Sequence, residues 1–291
     1  VKIVATAYPM QHWKIGDVRV TKLVEIEMTS RGTWILPDAT PENLAGETWL
    51  QPHFANDEGK IVMSIHSLLV ESQGRRILVD TCVGNDKERN IPNWSRRQGP
   101  YLDDLEEAGF APDSIDAVLC THLHIDHVGW NTRLEDGRWV PSFPGARYLF
   151  SRTEYDWWVA HDDEAFGPVI QDSVKPVFDA GLVDLVESDH LLTDEVRLES
   201  TPGHTPGHVS VHIASRGEEA VITGDLMHHP VQCAHPDWGS SADVDPDAAL
   251  RTRRDFLKRY ADRPVLVLGT HFATPTAGHI VRDGETWRLA V

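Results

Sequence analysis

Nine consecutive residues, Thr121 to Gly129, read Thr-His-Leu-His-Ile-Asp-His-Val-Gly and place three imidazoles and a carboxylate within six positions, directly after the apolar run Ala117-Val-Leu-Cys120. Imidazole and carboxylate are the donors that zinc-like ions prefer. Side chains two apart on a strand point the same way, so His122 and His124 are placed to grip one ion. A turn after Ile125 then brings Asp126 and His127 to a second ion beside it. Three further ligand types follow short apolar runs. His204 lies in Thr201-Pro-Gly-His-Thr-Pro-Gly-His208, where proline and glycine impose a rigid turn. Asp225 closes Ala220-Val-Ile-Thr-Gly, and His271 follows Val265-Leu-Val-Leu-Gly-Thr. His208 is an alternative to His204, and His228 and His229 stand close enough behind Asp225 to enter the same pocket. His12, His53, His66, His161, His190, His212, His235 and His279 have no ligand type at suggestive spacing and read as ordinary.

Ligands of this kind need strand ends and tight turns to hold them. Asp17 to Glu27 reads as a strand, and Ile61 to Val70 with Arg75 to Val79 as a hairpin turning at Gln73-Gly74. A short helix over Tyr101 to Ala108 leads into the strand Ala117 to Cys120, which puts the first motif at a strand's C-terminal end, the edge where α/β sheets build sites. Asp136-Gly137 suggests a second tight hairpin, Arg147 to Phe150 a strand, and Ser151 with Glu154 a capping box opening a helix through Trp157 and Trp158. Strands return at Glu195 to Glu199, His208 to Ala214, Glu219 to Thr223 and Pro264 to Leu268. A helix from Pro246 to Tyr260, capped by Asp245, separates the last two. Thr29 to Lys60, with Trp34, Trp49 and Phe54 among prolines and glycines, has no periodicity and reads as a lid or an interface loop.

Composition limits the partners. The 291 residues carry a formal net charge of −18, a field that repels polyanions and argues against nucleic acid. The basic cluster Arg251, Arg253, Arg254, Lys258 and Arg259 is expected to be a solvated helix face. Three dispersed cysteines suit a reducing compartment, so a cytoplasmic location is expected. No apolar run is long enough to span a membrane. Val1 to Trp13 shows no secretory pattern, and Val1, not being methionine, leaves room for an upstream segment. We expect one domain over residues 1–291, and the aromatic N-terminal region is suited to a homodimer contact.

The His-x-His-x-Asp-His motif, followed in order by the Thr-Pro-Gly-His, Gly-Asp and Gly-Thr-His segments, resembles the metallo-β-lactamase superfamily of metal-dependent hydrolases over most of the chain. The resemblance implies an α+β fold, a four-layer αββα sandwich of two mixed β-sheets flanked by helices. It also implies that His122, His124 and His204 bind a first ion, Asp126, His127 and His271 a second, and that Asp225 bridges them. Asp80, in Ile77-Leu-Val-Asp-Thr, matches the family's strand-end aspartate that supports ligands without binding metal. His204 is favoured over His208 by the same pattern.

Such a centre implies a metal-bridging hydroxide attacking a carbonyl, with Asp126, His228 or His229 to protonate the leaving oxygen. Zinc is the expected ion, manganese, iron and cobalt being tolerated by the family. The bridging aspartate argues against antibiotic hydrolysis, and His124 stands where the di-iron redox branch has an acidic residue. The full ligand set resembles the branch of lactonases and aryl-ester and organophosphate hydrolases, so a small-molecule lactone or ester substrate is expected. Trp34, Trp49, Phe54, Trp130, Trp157 and Trp158 are expected to wall an apolar pocket. A glyoxalase II-like thioesterase, an organophosphate triester hydrolase and, with least support, a non-catalytic binding protein are the alternatives.

Overall fold

The computed structural model describes residues 10–161 and 167–291; Val1 to Pro9, most of the stretch read above for a secretory pattern, lies outside the described residues. The first half of the chain contributes β1 (Gln11–Ile15), β2 (Val18–Ser30), β3 (Ile61–Ser72), β4 (Arg75–Val79) and β5 (Ala117–Leu119). A separate hairpin of β6 (Thr132–Glu135) and β7 (Arg138–Pro141) follows, then β8 (Arg147–Ser151) and β9 (Val183–Val186). Without the hairpin these strands make a seven-stranded sheet ordered β1-β2-β3-β4-β5-β8-β9. It is antiparallel from β1 to β4 and parallel from β4 to β9. A second sheet takes β10 (Val196–Ser200), β11 (Val209–Ser215), β12 (Glu218–Ile222), β13 (Val265–Leu268), β14 (Ala277–Asp283) and β15 (Thr286–Ala290) in chain order. Only β12 and β13 run parallel there. Both predicted hairpin turns form, with Gln73-Gly74 and Asp136-Gly137 in the left-handed region that a two-residue turn between twisted strands requires.

Strand alternation builds the layers. Leu68, Val70, Ile77, Val79 and Leu119 of the first sheet bury against Leu198, Val211, Ala220, Ile222 and Leu268 of the second. Their neighbours Leu69, Leu78, Val118 and Phe150 face outward onto Leu105 and Val177, and Val221 and Val267 onto Phe256 and Leu257. The result is the expected pair of mixed sheets with helices on the outer faces. Among the described residues no helix is long and apolar enough to cross a membrane.

Two local readings are corrected. Ser151 precedes the helix Arg152–Ala160 but makes no side-chain cap, and Glu154 turns inward, 1% exposed. The unpaired N–H groups described below outcompete a solvent-side cap for its carboxylate. Arg253 is not on a solvated face. It lies on the stripe Ala249, Arg253, Phe256, Leu257 and Tyr260 that the helix Pro246–Tyr260 buries, and it donates to the Leu226 and Pro236 carbonyls. The helix starts as predicted, with the Asp245 carboxylate accepting from the Ala248 N–H.

Lys22 on β2 is also buried, its Nζ donating to Thr276 Oγ1 at 2.6 Å. Burial lowers its pKa to about 7. The unfolded chain therefore binds a proton that the folded one releases between about pH 7 and the usual lysine value near 10.5, so Lys22 makes stability rise with pH across that window. Lys22→Met is expected to be more stable than wild type at pH 7 and to flatten that rise. Urea midpoints measured at pH 7, 8.5 and 10 check both, and a variant that loses stability at pH 7 would contradict the reading. Thr276 keeps the Phe272 and Ala273 carbonyls as acceptors, so the substitution leaves no hydroxyl unpaired.

Candidate metal centre

The ligand-bearing segments leave the C-terminal ends of β5, β10, β12 and β13, and the supporting Asp80 follows β4, which runs parallel to β5. The segment after β5 is stitched to the one after β4. Thr81 N–H donates to the His127 carbonyl, Trp130 N–H to the Thr81 carbonyl and Gly129 N–H to the Cys82 carbonyl. The approach is close enough that a Cβ at Gly129 would lie 1.9 Å from the Val83 carbonyl oxygen, so the motif's terminal glycine is a steric requirement. A β-bulge in β2 falls at Glu25, whose carboxylate accepts the Val83 and Gly84 N–H groups and the Trp130 indole N–H.

The predicted ligands converge. His122, His124 and His204 place one nitrogen each within 4.8 Å of one another, and so do the donor atoms of Asp126, His127 and His271. His124 Nδ1 lies 3.0 Å from His122 Nε2 and 2.9 Å from His204 Nε2. His271 Nε2 and His127 Nε2 each stand 3.6 Å from an Asp126 oxygen. Asp225 sits between the groups. Its Oδ2 is 3.8 Å from His122 Nε2, 3.5 Å from His204 Nε2 and 3.4 Å from His127 Nε2, and its Oδ1 is 3.1 Å from His271 Nε2. Burial alone would raise the Asp225 pKa, but His127, His271, His228 and His122 outweigh it and hold the carboxyl well below the usual range. Burial pushes His122 and His124 well down, toward the neutral, donor-capable imidazole.

Three of the five imidazoles are aimed from behind. Asp80, in the left-handed region at φ 58°, takes His127 Nδ1 at 2.9 Å on one oxygen and the Thr121 N–H at 2.7 Å on the other. Asp243 lies 2.9 Å from His204 Nδ1 and is itself held by the Ser240 N–H and by Arg253, 3.5 Å away. The Ser64 carbonyl accepts from His271 Nδ1 at 3.1 Å. Such partners fix tautomer and ring angle.

His208 stays outside the cluster: its Nε2 accepts the Asp225 N–H at 2.8 Å and its Nδ1 faces Thr201. His229, a candidate proton donor, is corrected. Its Nε2 meets the Phe54 carbonyl at 2.8 Å and its Nδ1 accepts the Val231 N–H, so neither nitrogen serves the site. His228 does face it, with Nε2 3.2 Å from Asp225 Oδ2. Asp243, Glu154 and Arg253 were missed by sequence reasoning. Only Arg253 carried a usable signal, its place in an apolar helical stripe.

The ligands open into a pocket lined by Met28, Met63, Ile65 and Ile125 and by Trp34, Ile35, Ile91, Trp94 and Ala242, of which Trp34 is exposed. Trp34 and Trp94 meet edge to face at 6.1 Å. The other aromatic residues expected here are engaged elsewhere. Phe54 packs on Phe272, Trp130 stacks on Tyr101, Trp49 donates to Glu47, Trp157 stacks on His161, and Trp158 donates to Glu154. None of the lining residues is lysine or arginine.

The donor set fits two divalent ions. His127 Nε2, Asp225 Oδ1 and His228 Nδ1 are buried without a hydrogen-bond partner, an arrangement that costs free energy unless something else satisfies them. Two of those three atoms belong to the predicted ligands. Three imidazoles on one side, with two imidazoles and a carboxylate on the other, match borderline metal chemistry.

Comparison with known proteins agrees with this geometry. A family model described as "Metallo-beta-lactamase superfamily" matches residues 61–280. The chain is 26% identical over 228 residues to an N-acyl homoserine lactonase of Bacillus thuringiensis, covering 72% of this chain and 83% of that protein. Its fold is similar to that of AidC, a dizinc quorum-quenching lactonase, with a TM-score of 0.81 at 24% identity over 97% of this chain and 96% of that one. It is also similar to the hydrolase AbOPH, with a TM-score of 0.79 at 24% identity over 98% of this chain and 99% of that one.

Proposed function

Because the chain belongs to the metallo-beta-lactamase superfamily, we propose that it is a dinuclear metal-dependent hydrolase of uncharged lactones or carboxylic esters that carry an apolar acyl or aryl group. The observation that carries the reading is the coincidence of seven ligand-type residues at the base of a pocket whose walls are apolar. His122, His124 and His204 would hold one ion and Asp126, His127 and His271 the other, with Asp225 shared. Two such ions, zinc by the donor set, supply Lewis acidity for a carbonyl and a water acidified to near neutral pH.

The protein's own residues do the rest. Met28, Met63, Ile65 and Ile125 exclude water from the reacting carbonyl and take up the apolar part of the substrate. His228, on the pocket side of Asp225, is the side chain we assign to hold a proton at Nε2 for the departing oxygen. Asp126 also reaches the pocket, 3.6 Å from His127 Nε2 and His271 Nε2, where it would share an ion with them. A glutathione thioester would bring carboxylates into a wall without a cationic side chain, which favours the neutral ester or lactone. The lactonase named among the relatives supports the same class.

A panel of acyl lactones, aryl esters, S-lactoylglutathione and an aryl phosphotriester, run with metal content measured, tests the assignment. Lactones or esters are expected to give the highest kcat/KM, with about two ions per chain. Preference for the thioester or the phosphotriester would replace this reading. Trp34, 45% exposed at the pocket mouth, is expected to set chain-length preference. Trp34→Ala should raise KM for long-chain substrates by roughly tenfold while leaving kcat and short-chain turnover nearly unchanged. Equal effects on both chain lengths would remove Trp34 from the specificity wall.

A further inference from the structure

The helix Arg152–Ala160 starts hard against the turn that carries His204, so hard that a Cβ at Gly207 would lie 2.1 Å from the Glu154 backbone nitrogen. Glu154 is 1% exposed and belongs to no ligand group. Its Oε1 accepts the Leu123 N–H at 3.1 Å and the Trp158 indole N–H at 2.7 Å, and its Oε2 accepts the Gly207 N–H at 3.0 Å. Leu123 stands between His122 and His124, and Gly207 closes the turn on which His204 sits. Trp158, held by the same carboxylate, presents its ring edge-on to His124 at 5.4 Å. One buried carboxylate thus ties the two segments that present the three-histidine group to each other and to the helix beside them, and none of its hydrogen bonds goes to Asp126, His127 or His271 themselves.

We propose that Glu154 is a positioning residue that fixes the distance between the His122–His124 segment and the His204 turn, and so sets the affinity of the three-histidine ion site selectively. The proposal rests on the two-ion reading above. The three N–H partners can only donate, and the Thr205 hydroxyl beside them also favours the ionised group, so a carboxylate satisfies them together where an amide cannot. Glutamine in its place can accept from Leu123 and Trp158 with its one oxygen, but its NH2 group then confronts the Gly207 N–H and pushes the His204 turn away.

The test uses the full chain, stripped of metal and titrated with zinc and, separately, with cobalt followed by its absorption spectrum. His204→Ala and His271→Ala mark which binding step belongs to which site. Glu154→Gln is expected to weaken the three-histidine step by about 10- to 100-fold, the usual range for losing a supporting partner, to change the cobalt bands of that site, and to leave the other step within about twofold. A purely structural role would lower thermal stability and leave the ratio of the two affinities unchanged, and that result would overturn the proposal. So would equal weakening of both steps. Trp158→Phe removes one donor while keeping a ring against His124, and is expected to shift the same step in the same direction by a smaller factor; it decides the matter if Glu154→Gln does not fold. A wild-type chain that binds no ion would overturn the two-ion reading itself, whereas two ions bound normally by both variants would overturn only the role of Glu154.

Discussion

Replacing Asp225 with asparagine or alanine is expected to lower kcat/KM toward the best ester or lactone by at least about 10³-fold, roughly 4 kcal/mol of transition-state stabilisation, and to leave at most one tightly bound ion. Among the described residues Asp225 is the only carboxylate whose oxygens approach both histidine groups, at 3.1 to 3.8 Å from four of the predicted ligands. Asparagine keeps the shape and removes the charge, so it isolates the electrostatic part. The loop should survive either change, because its anchor to His208 runs through the Asp225 backbone N–H. Near-UV circular dichroism would verify that, and metal analysis with steady-state kinetics would measure the loss. Unchanged turnover in both variants would contradict the shared-ligand role of Asp225.

Chelation is expected to have the next largest effect. Removing both ions should abolish ester or lactone cleavage and, if each is present at about a thousand times its dissociation constant, cost about 4 kcal/mol of stability per ion, about 8 kcal/mol together, or roughly 15 °C in Tm. The cause is on view in the buried His127 Nε2 and Asp225 Oδ1, which have no hydrogen-bond partner in the protein. Differential scanning fluorimetry with and without chelator, followed by zinc add-back, measures both effects. Activity that persists in metal-free protein with an unchanged Tm would contradict the dinuclear assignment.

How much of this was legible in the sequence depended on the range of the interaction. The strands were legible because their alternation is local, and the two-residue turns because Gln73-Gly74 and Asp136-Gly137 carry their own backbone preference. The ligand candidates were legible because donor type and strand-end position are both written within a few residues. What joins distant segments was not. Asp243 meets His204 across 39 positions and Glu154 reaches Gly207 across 53, and no period links them. Glu154 was misread because its spacing from Ser151 mimics a local cap, while the buried N–H groups that claim it come from elsewhere in the chain. Trp94 and Ile91 of the pocket wall sit in a stretch without periodicity, so nothing nearby marked them.

The wall of the pocket is divided in origin. Met28, Met63 and Ile65 come from β2 and β3, and Ile125 from the ligand motif itself, whereas Trp34, Ile35, Ile91, Trp94 and Ala242 come from connecting segments outside the strands. Chemistry and selectivity are therefore carried largely by different stretches of chain. A library confined to these five loop positions would sample new substrates while every metal donor and its supporting partner stayed fixed. The same partition gives natural variation a route by which related enzymes can diverge in diet without rebuilding the centre that cuts.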